Sequence, residues 1–208
     1  MSHTLHRPRC TKTSANDFVV LVMPARGKNN TDVSERYAKY VDVFKKYNAT
    51  NMGGMDIGIL VGQQADDLKK TLDPMAPMIH AVYDNAEDLK GCLKELKEKE
   101  YGFSVVVSGK LDEVRKAAGE VGVKPHSFHY SLGVWGRKEV LPDETIRELT
   151  SMCGHSMVSG GLVLKLVAQI KSGKKSARKV AEQLAMPCVC GIFNVNRAEL
   201  LLQALADK

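Results

Sequence analysis

The chain alternates between short apolar runs and longer segments in which apolar residues recur every three or four positions. Residues 18–23 (FVVLVM) form a continuous apolar run rich in β-branched residues, which predicts a strand buried on both faces. Residues 85–99 place four apolar side chains on one helical face, with Asp84 or Asn85 as the cap. Cys92 belongs to that stripe and is interpreted as a core residue.

Short apolar runs and helical spacings of apolar residues predict strands and helices along the rest of the chain. Strands are predicted at 18–23, 55–61, 78–83, 103–107 and 127–134, and helices at 31–47, 65–72, 85–99, 110–121, 143–152, 156–171, 176–184 and 196–206. Strands and helices alternate from 78 to 135, an order typical of an α/β protein with a parallel or mixed sheet covered by helices. An all-helical C-terminal segment that carries a Cys/His cluster follows.

This change of pattern predicts three regions. Residues 1–17 are polar and basic and are interpreted as a flexible N-terminal arm. Residues 18–141 are predicted to form the α/β domain. Residues 142–208 are predicted to form a helical segment that binds a metal or a cluster, either packed on the sheet or as a small appendage.

Composition narrows the class of protein without naming a function. Of the 208 residues, 44% are hydrophobic and 26% are charged, which are ordinary globular values. No apolar run approaches the roughly 18–20 residues of a membrane-spanning helix, and the first residues lack the apolar core of a secretory signal. We therefore expect a cytoplasmic protein with no membrane partner. The net charge of +6 is spread along the chain among 24 acidic residues, which disfavours nucleic acid as a partner.

The residues that could bind a metal lie in two short cysteine-containing segments. Residues 152–156 read MCGHS and residues 187–191 read PCVCG, and both lie where one predicted helix ends and another begins. Two helices joined by a short turn separate them, so the helical hairpin would bring Cys153 and His155 close to Cys188 and Cys190. Cysteine and histidine on a backbone loosened by glycine are typical ligands of zinc or of an iron–sulfur cluster.

Several interpretations of this cluster stay open at the level of sequence. An iron–sulfur cluster could use the three thiolates, with His155 on the fourth iron or that position left open. Zinc bound by three cysteines and His155 would be a closed structural site. A thiol redox pair and simple core packing of cysteine are the other two readings. Cys10 lies in the N-terminal arm, and its role is not set by the pattern.

Three further residues are predicted to contact a cofactor or ligand. Arg26 and Gly27 follow the first buried strand, where exposed backbone N–H groups could hold an anion. Arg197 follows the Cys-x-Cys segment closely and could offset the negative charge of thiolates.

The sequence thus supports two functional hypotheses from different classes. The first is an iron–sulfur protein with a redox or Lewis-acid role in intracellular metabolism, anaerobic or otherwise reducing, with a redox protein or a small molecule as partner. The second is a zinc-stabilised module for protein or nucleic-acid interaction, without catalysis. Neither names a substrate, an enzymatic reaction or an oligomeric state.

Overall fold

A computed structural model describes residues 7, 16–55, 57–58, 65–73 and 75–207. Four strands lie in the first half of this range, with the bounds β1 Phe18–Met23, β2 Asn51–Gly54, β3 Ile79–Tyr83 and β4 Ser104–Ser108. The helices are α1 Val33–Lys46, α2 Ala65–Thr71, α3 Ala86–Lys99, α4 Leu111–Glu120, α5 Glu144–Ser151, α6 Gly160–Lys171, α7 Ala177–Ala185 and α8 Val195–Ala206, with a 3-10 turn at Lys138–Val140.

The sheet is antiparallel, so the prediction of a parallel or mixed sheet was wrong. Its strand order is β2-β3-β1-β4, and β1 pairs antiparallel with both β3 and β4, while β2 pairs antiparallel with β3. Helix α1 connects β1 to β2, and α3 connects β3 to β4, and in both cases the two connected strands are not neighbours in the sheet. β1 and β2 run parallel with β3 between them, and β3 and β4 run parallel with β1 between them. This is the split βαβ, or ferredoxin-like, arrangement.

Two predicted strands were placed wrongly. The second strand is Asn51–Gly54, not 55–61, and it ends on the glycine pair Gly53-Gly54. Of the predicted range, Gly58 forms only an isolated bridge to Gly53, and residues 56 and 59–61 lie outside the described residues. Residues 127–134 form no strand and are exposed throughout.

Helices cover both faces of the sheet. On one face, alternate β1 residues such as Phe18 and Val20 pack against α1, α3 and α4. Cys92 is fully buried in this layer, which confirms its interpretation as a core residue. On the other face, Val19 and Leu21 of β1 join one continuous apolar cluster with α5 to α8. The helical segment therefore shares a core with the sheet, and the domain boundary at 141/142 stays a prediction.

Side-chain caps fix where the helices begin. The Asn85 side chain accepts a hydrogen bond from the backbone N–H of Asp88 at 2.8 Å, which confirms one of the two predicted caps of α3. Ser159 and Ser176 cap α6 and α7 in the same way. Asn194 caps α8, which begins at Val195, one residue earlier than predicted, and carries Arg197 in its first turn.

Within the described residues, no helix is both long enough and apolar enough to cross a membrane.

Candidate thiol site

Three cysteines from two loops meet under the C-terminal helices. Cys153 follows α5, and Cys188 and Cys190 lie between α7 and α8. Their exposed fractions are 2%, 3% and 1%. The Sγ atoms of Cys188 and Cys190 are 3.8 Å apart, and the Cys153 thiol hydrogen-bonds to Cys188. The structure thus brings three of the four predicted ligands together in a row with Cys188 in the middle.

The fourth predicted ligand lies at the surface. His155 is exposed, in the turn that follows the buried Cys153. Val189, between the two buried cysteines of the other loop, is 51% exposed. Exposed residues of the same two loops thus neighbour the buried cysteines, so the row of thiols lies just beneath the protein surface.

The hydrogen bonds along the row separate the acidities of the three thiols. The bond from Cys188 lowers the pKa of Cys190 below its ordinary value despite burial. The bond from Cys153 acts to lower the pKa of Cys188, but the bond that Cys188 gives to Cys190, together with burial, prevails and raises it to about 11. Its bond to Cys188 and burial raise the pKa of Cys153. Cys190 is therefore the thiol that ionises first.

Backbone N–H groups also point at the sulfur atoms. The amides of His155 and Met157 donate toward Cys153, that of Phe193 toward Cys188, and that of Ile192 toward Cys190. Such bonds favour the charged thiolate. They are also the kind of contact that tunes sulfur ligands in metal–thiolate centres.

Close backbone packing holds the Cys188–Cys190 loop against β2. A Cβ on Gly53 would overlap the carbonyl oxygen of Cys190, and a Cβ on Gly191 would lie 2.8 Å from the carbonyl oxygen of Met52. Gly191 also has a positive φ of 76°, a conformation that glycine adopts at little cost. The two glycines let the cysteine loop lie directly on the edge strand.

A buried histidine that the sequence analysis did not consider lies beside this loop. His80 of β3 is 2% exposed and pairs with Gly53 in register. Strand alternation puts its side chain on the same face as Val82, which packs against the C-terminal helices. Paired residues in a sheet have Cβ positions about 5 Å apart, so His80 is adjacent to the Cys190 peptide. The only signal in the sequence was a histidine within a predicted buried strand.

A buried ion network fixes both cysteine loops. The Arg7 guanidinium donates to the carbonyl oxygens of Met152 and Ile192, which neighbour the two thiol-bearing segments, and to Asp17 at 2.6 Å. One loop precedes α6 and the other precedes α8, so a single side chain ties them together. The local sequence around Arg7 gave no sign of this role, because residues 1–17 are polar and basic and were interpreted as a flexible arm. Residues 1–6 and 8–15, including Cys10, lie outside the described residues.

The network continues through the residue predicted to sit beside the thiolates. The Arg197 guanidinium contacts Asp17 at 2.9 Å and Glu148 at 2.6 Å, and the Asn194 side chain donates to Asp17 at 3.0 Å. The charge of Arg197 is thus met by two buried carboxylates. Its assignment as a cofactor-binding residue stays a prediction.

The other predicted ligand-binding residues form an exposed turn after β1. Arg26 and Gly27 are exposed, and the Gly27 N–H donates to the Asn30 side chain at 2.8 Å. Gly27 has a positive φ of 71°. This is ordinary turn geometry, and the role of Arg26 and Gly27 in binding a ligand stays a prediction.

In the part of the chain that the structure describes, no group of three or more Cys, His, Asp or Glu side chains is already arranged to hold a metal ion. Comparison with protein-family models, curated proteins and solved structures finds no match for this chain.

Proposed function

We propose that the protein binds a thiophilic metal centre through Cys153, Cys188 and Cys190, with an iron–sulfur cluster as the first candidate. The observation that supports this is the convergence of three buried thiols from two separate loops. Core packing alone accounts for single buried cysteines such as Cys92. It gives no reason for three in a row surrounded by inward-pointing amides.

The three thiols would ionise to thiolates once a metal cation is bound between them. Three buried thiolates would repel one another and lose their hydration, so without a metal they stay largely protonated. A metal ion displaces those protons and compensates the charge. The four backbone N–H groups that point at the sulfurs would stabilise the thiolates further. Cys190, the most acidic of the three, would be the first ligand to bind.

Binding requires a local rearrangement. Among the described residues the thiols are not yet arranged to hold a metal ion, so the Cys153 side chain must turn toward Cys190. A rotation of the Cys153 side chain about its Cα–Cβ bond would do this while the backbone of both loops, held by Arg7, stays in place. The site also lies close to the surface, which gives a metal or a cluster donor a short route of entry.

The fourth coordination position determines what such a centre could do. If no protein side chain fills it, a small molecule could bind there and be activated by Lewis-acid chemistry; if one does, electron transfer to a redox protein is the simpler role. His80 and His155 are the two candidates, one buried beside Cys190 and one exposed. The reduced state of the described cysteines suits the cytoplasm, where we place the protein.

Zinc is the second candidate, and the distance between two of the sulfur atoms is compatible with it. Two thiolates on one tetrahedral ion, each about 2.3 Å from the metal, stand about 3.8 Å apart, and the Cys188 and Cys190 sulfurs are separated by 3.8 Å. The same spacing suits two ligands of one iron in a two-iron cluster. A zinc site would make the protein a stabilised interaction module instead of a redox protein.

Metal analysis on protein purified without oxygen tests the proposal. Iron with acid-labile sulfide and a visible absorption band is expected, and zinc without sulfide would select the second candidate. Cys188→Ala should abolish metal binding, whereas Cys92→Ala, which removes a buried cysteine from the opposite face of the sheet, should leave the metal content unchanged. Equal metal content in the two variants, or no metal after reconstitution with iron and sulfide or with zinc, would refute the proposal.

Histidine variants identify the fourth ligand. His80→Ala and His155→Ala are compared for metal content and for the spectrum of the bound metal. A ligand histidine changes the spectrum and weakens binding, and the other variant serves as its control. If neither variant changes the spectrum, the fourth position is open to solvent or substrate.

A further inference from the structure

An exposed apolar segment follows α4, on a part of the molecule that the thiol site does not use. Tyr130, Leu132 and Trp135 are 61%, 84% and 80% exposed, and Phe128 and Val134 are each more than 40% exposed. We call residues 127–135 the apolar arm. Large apolar side chains scattered singly on a surface need no explanation, but a contiguous group of five marks an interaction site.

Local contacts hold the apolar arm against the body of the protein. The Arg115 guanidinium of α4 lies 4.7 Å from the centre of the Phe128 ring, which in turn stacks on Tyr130 at 6.4 Å. The Trp135 indole N–H donates to the Leu132 carbonyl oxygen at 2.8 Å. The arm is thus presented at the surface in a definite place.

The arm has the sequence of a strand but no strand partner. Apolar residues occupy positions 128, 130, 132 and 134, and they alternate with Ser127, His129, Ser131 and Gly133. This is the period of a strand with one apolar face. In the described part of the chain, no backbone–backbone hydrogen bond joins residues 127–134 to another segment.

The sheet offers a matching edge. β4 is an outer strand that pairs with β1 only, and among the described residues no strand covers its other side. Ser104 and Val105 at its start are exposed, Val105 by 39%. An uncovered edge strand is a template for strand addition by another chain.

We infer that the protein forms a symmetric homodimer in which the apolar arm of each copy adds as a strand to the β4 edge of the other. A second copy is the occupant because, within the described residues, every molecule carries both a strand-like segment without a strand partner and an exposed start of the outer strand β4. Two reciprocal additions then close a two-fold assembly. The exchange pairs the backbone N–H and C=O groups of the arm and of β4, and it buries the apolar side chains of the arm.

The exposed area is sufficient for a stable dimer. The exposed fractions of the five apolar side chains, with about 150–250 Å² for a large aromatic side chain, give on the order of 600 Å² of apolar surface per copy. Specific interfaces bury about 800 Å² per partner. The main chain of the arm and the β4 edge supply the remainder.

Light scattering on the full-length protein over a dilution series tests this inference. The wild type is expected to be a dimer. Leu132→Asp, in the arm, and Val105→Lys, on the β4 edge, should each raise the dimer dissociation constant by about tenfold or more. Leu200→Asp is the matched control, since Leu200 of α8 is also highly exposed, at 62%, but lies outside both surfaces. Circular dichroism confirms that each variant is folded.

Cross-linking of a mixture of unlabelled and heavy-isotope-labelled chains locates the contact. Cross-links between Lys138, just after the arm, and Lys110, just after β4, should join a light chain to a heavy one. A monomer at every concentration would overturn the inference. So would a dimer that Leu132→Asp dissociates but Val105→Lys leaves intact, because the arm would then bind elsewhere.

Discussion

Replacing Arg197 with methionine removes the central cation of the buried ion network while keeping a side chain of similar length. Arg197 is 2% exposed, and its guanidinium contacts Asp17, which is fully buried, and Glu148, which is 3% exposed. Asp17 keeps Arg7 and Asn194 as hydrogen-bond donors after the change. Glu148 loses its guanidinium partner at 2.6 Å, so the cost falls mainly on this carboxylate.

The magnitude follows from the burial of the carboxylates. Removing one partner of a buried ion pair costs about 3–5 kcal/mol, because the charge left behind is poorly solvated. That is a large part of the roughly 5–15 kcal/mol by which domains are stable. With a urea slope of about 2–3 kcal/mol per molar for a chain of this size, the midpoint of unfolding should fall by about 1–2.5 M.

Urea denaturation followed by far-ultraviolet circular dichroism measures the change. The matched control is Arg178→Met, which breaks ion pairs with Glu182 and Glu199 at a side chain that is 47% exposed; it should cost less than about 1 kcal/mol. Adding Glu148→Gln to Arg197→Met should restore at least about 1 kcal/mol, because it removes the buried carboxylate charge that the Arg197 guanidinium had compensated. If Arg197→Met costs no more than Arg178→Met, or if the added Glu148→Gln destabilises further, the network does not hold the fold as described.

Two other predictions concern the cysteine loop and the buried thiol of α3. Gly53→Ala places a methyl group on the Cys190 carbonyl oxygen and should lower the free energy of unfolding by about 1–3 kcal/mol. Gly54→Ala is the control, because its Cβ would find its nearest neighbour at 3.4 Å, and it should cost clearly less in the same denaturation assay. Equal costs for the two variants would contradict the close packing. Burial raises the pKa of Cys92 to about 12 from an ordinary value of 9.0. Between these two pH values the unfolded chain has lost a proton that the native protein keeps. The contribution of Cys92 to stability should therefore fall by up to about 1.4 kcal/mol for each unit of rising pH. Urea titrations across that range should show a shallower fall for Cys92→Ala, and an unchanged slope would refute the assignment.

The sequence by itself determined the elements whose periodicity is clear. The apolar run that became β1, the helical stripe of α3 with its Asn85 cap, and the C-terminal helices followed from residue pattern alone. The meeting of Cys153 with Cys188 and Cys190 followed as well, because two short helices joined by a turn must return close to their starting point. Each of these inferences depends on neighbours close along the chain.

Only the tertiary structure decided which strands are adjacent and which polar residues reach the site. A strand buried on both faces has the same pattern in a parallel sheet and in a helix-covered antiparallel one, so the order β2-β3-β1-β4 was not visible. Arg7, His80 and Gly53 contact the cysteine loops from distant parts of the chain, and nothing in their local sequence marks that contact. The spacing of apolar residues along the chain indicates which side chains are buried. Which residues they contact depends on the order and direction of the strands in the sheet.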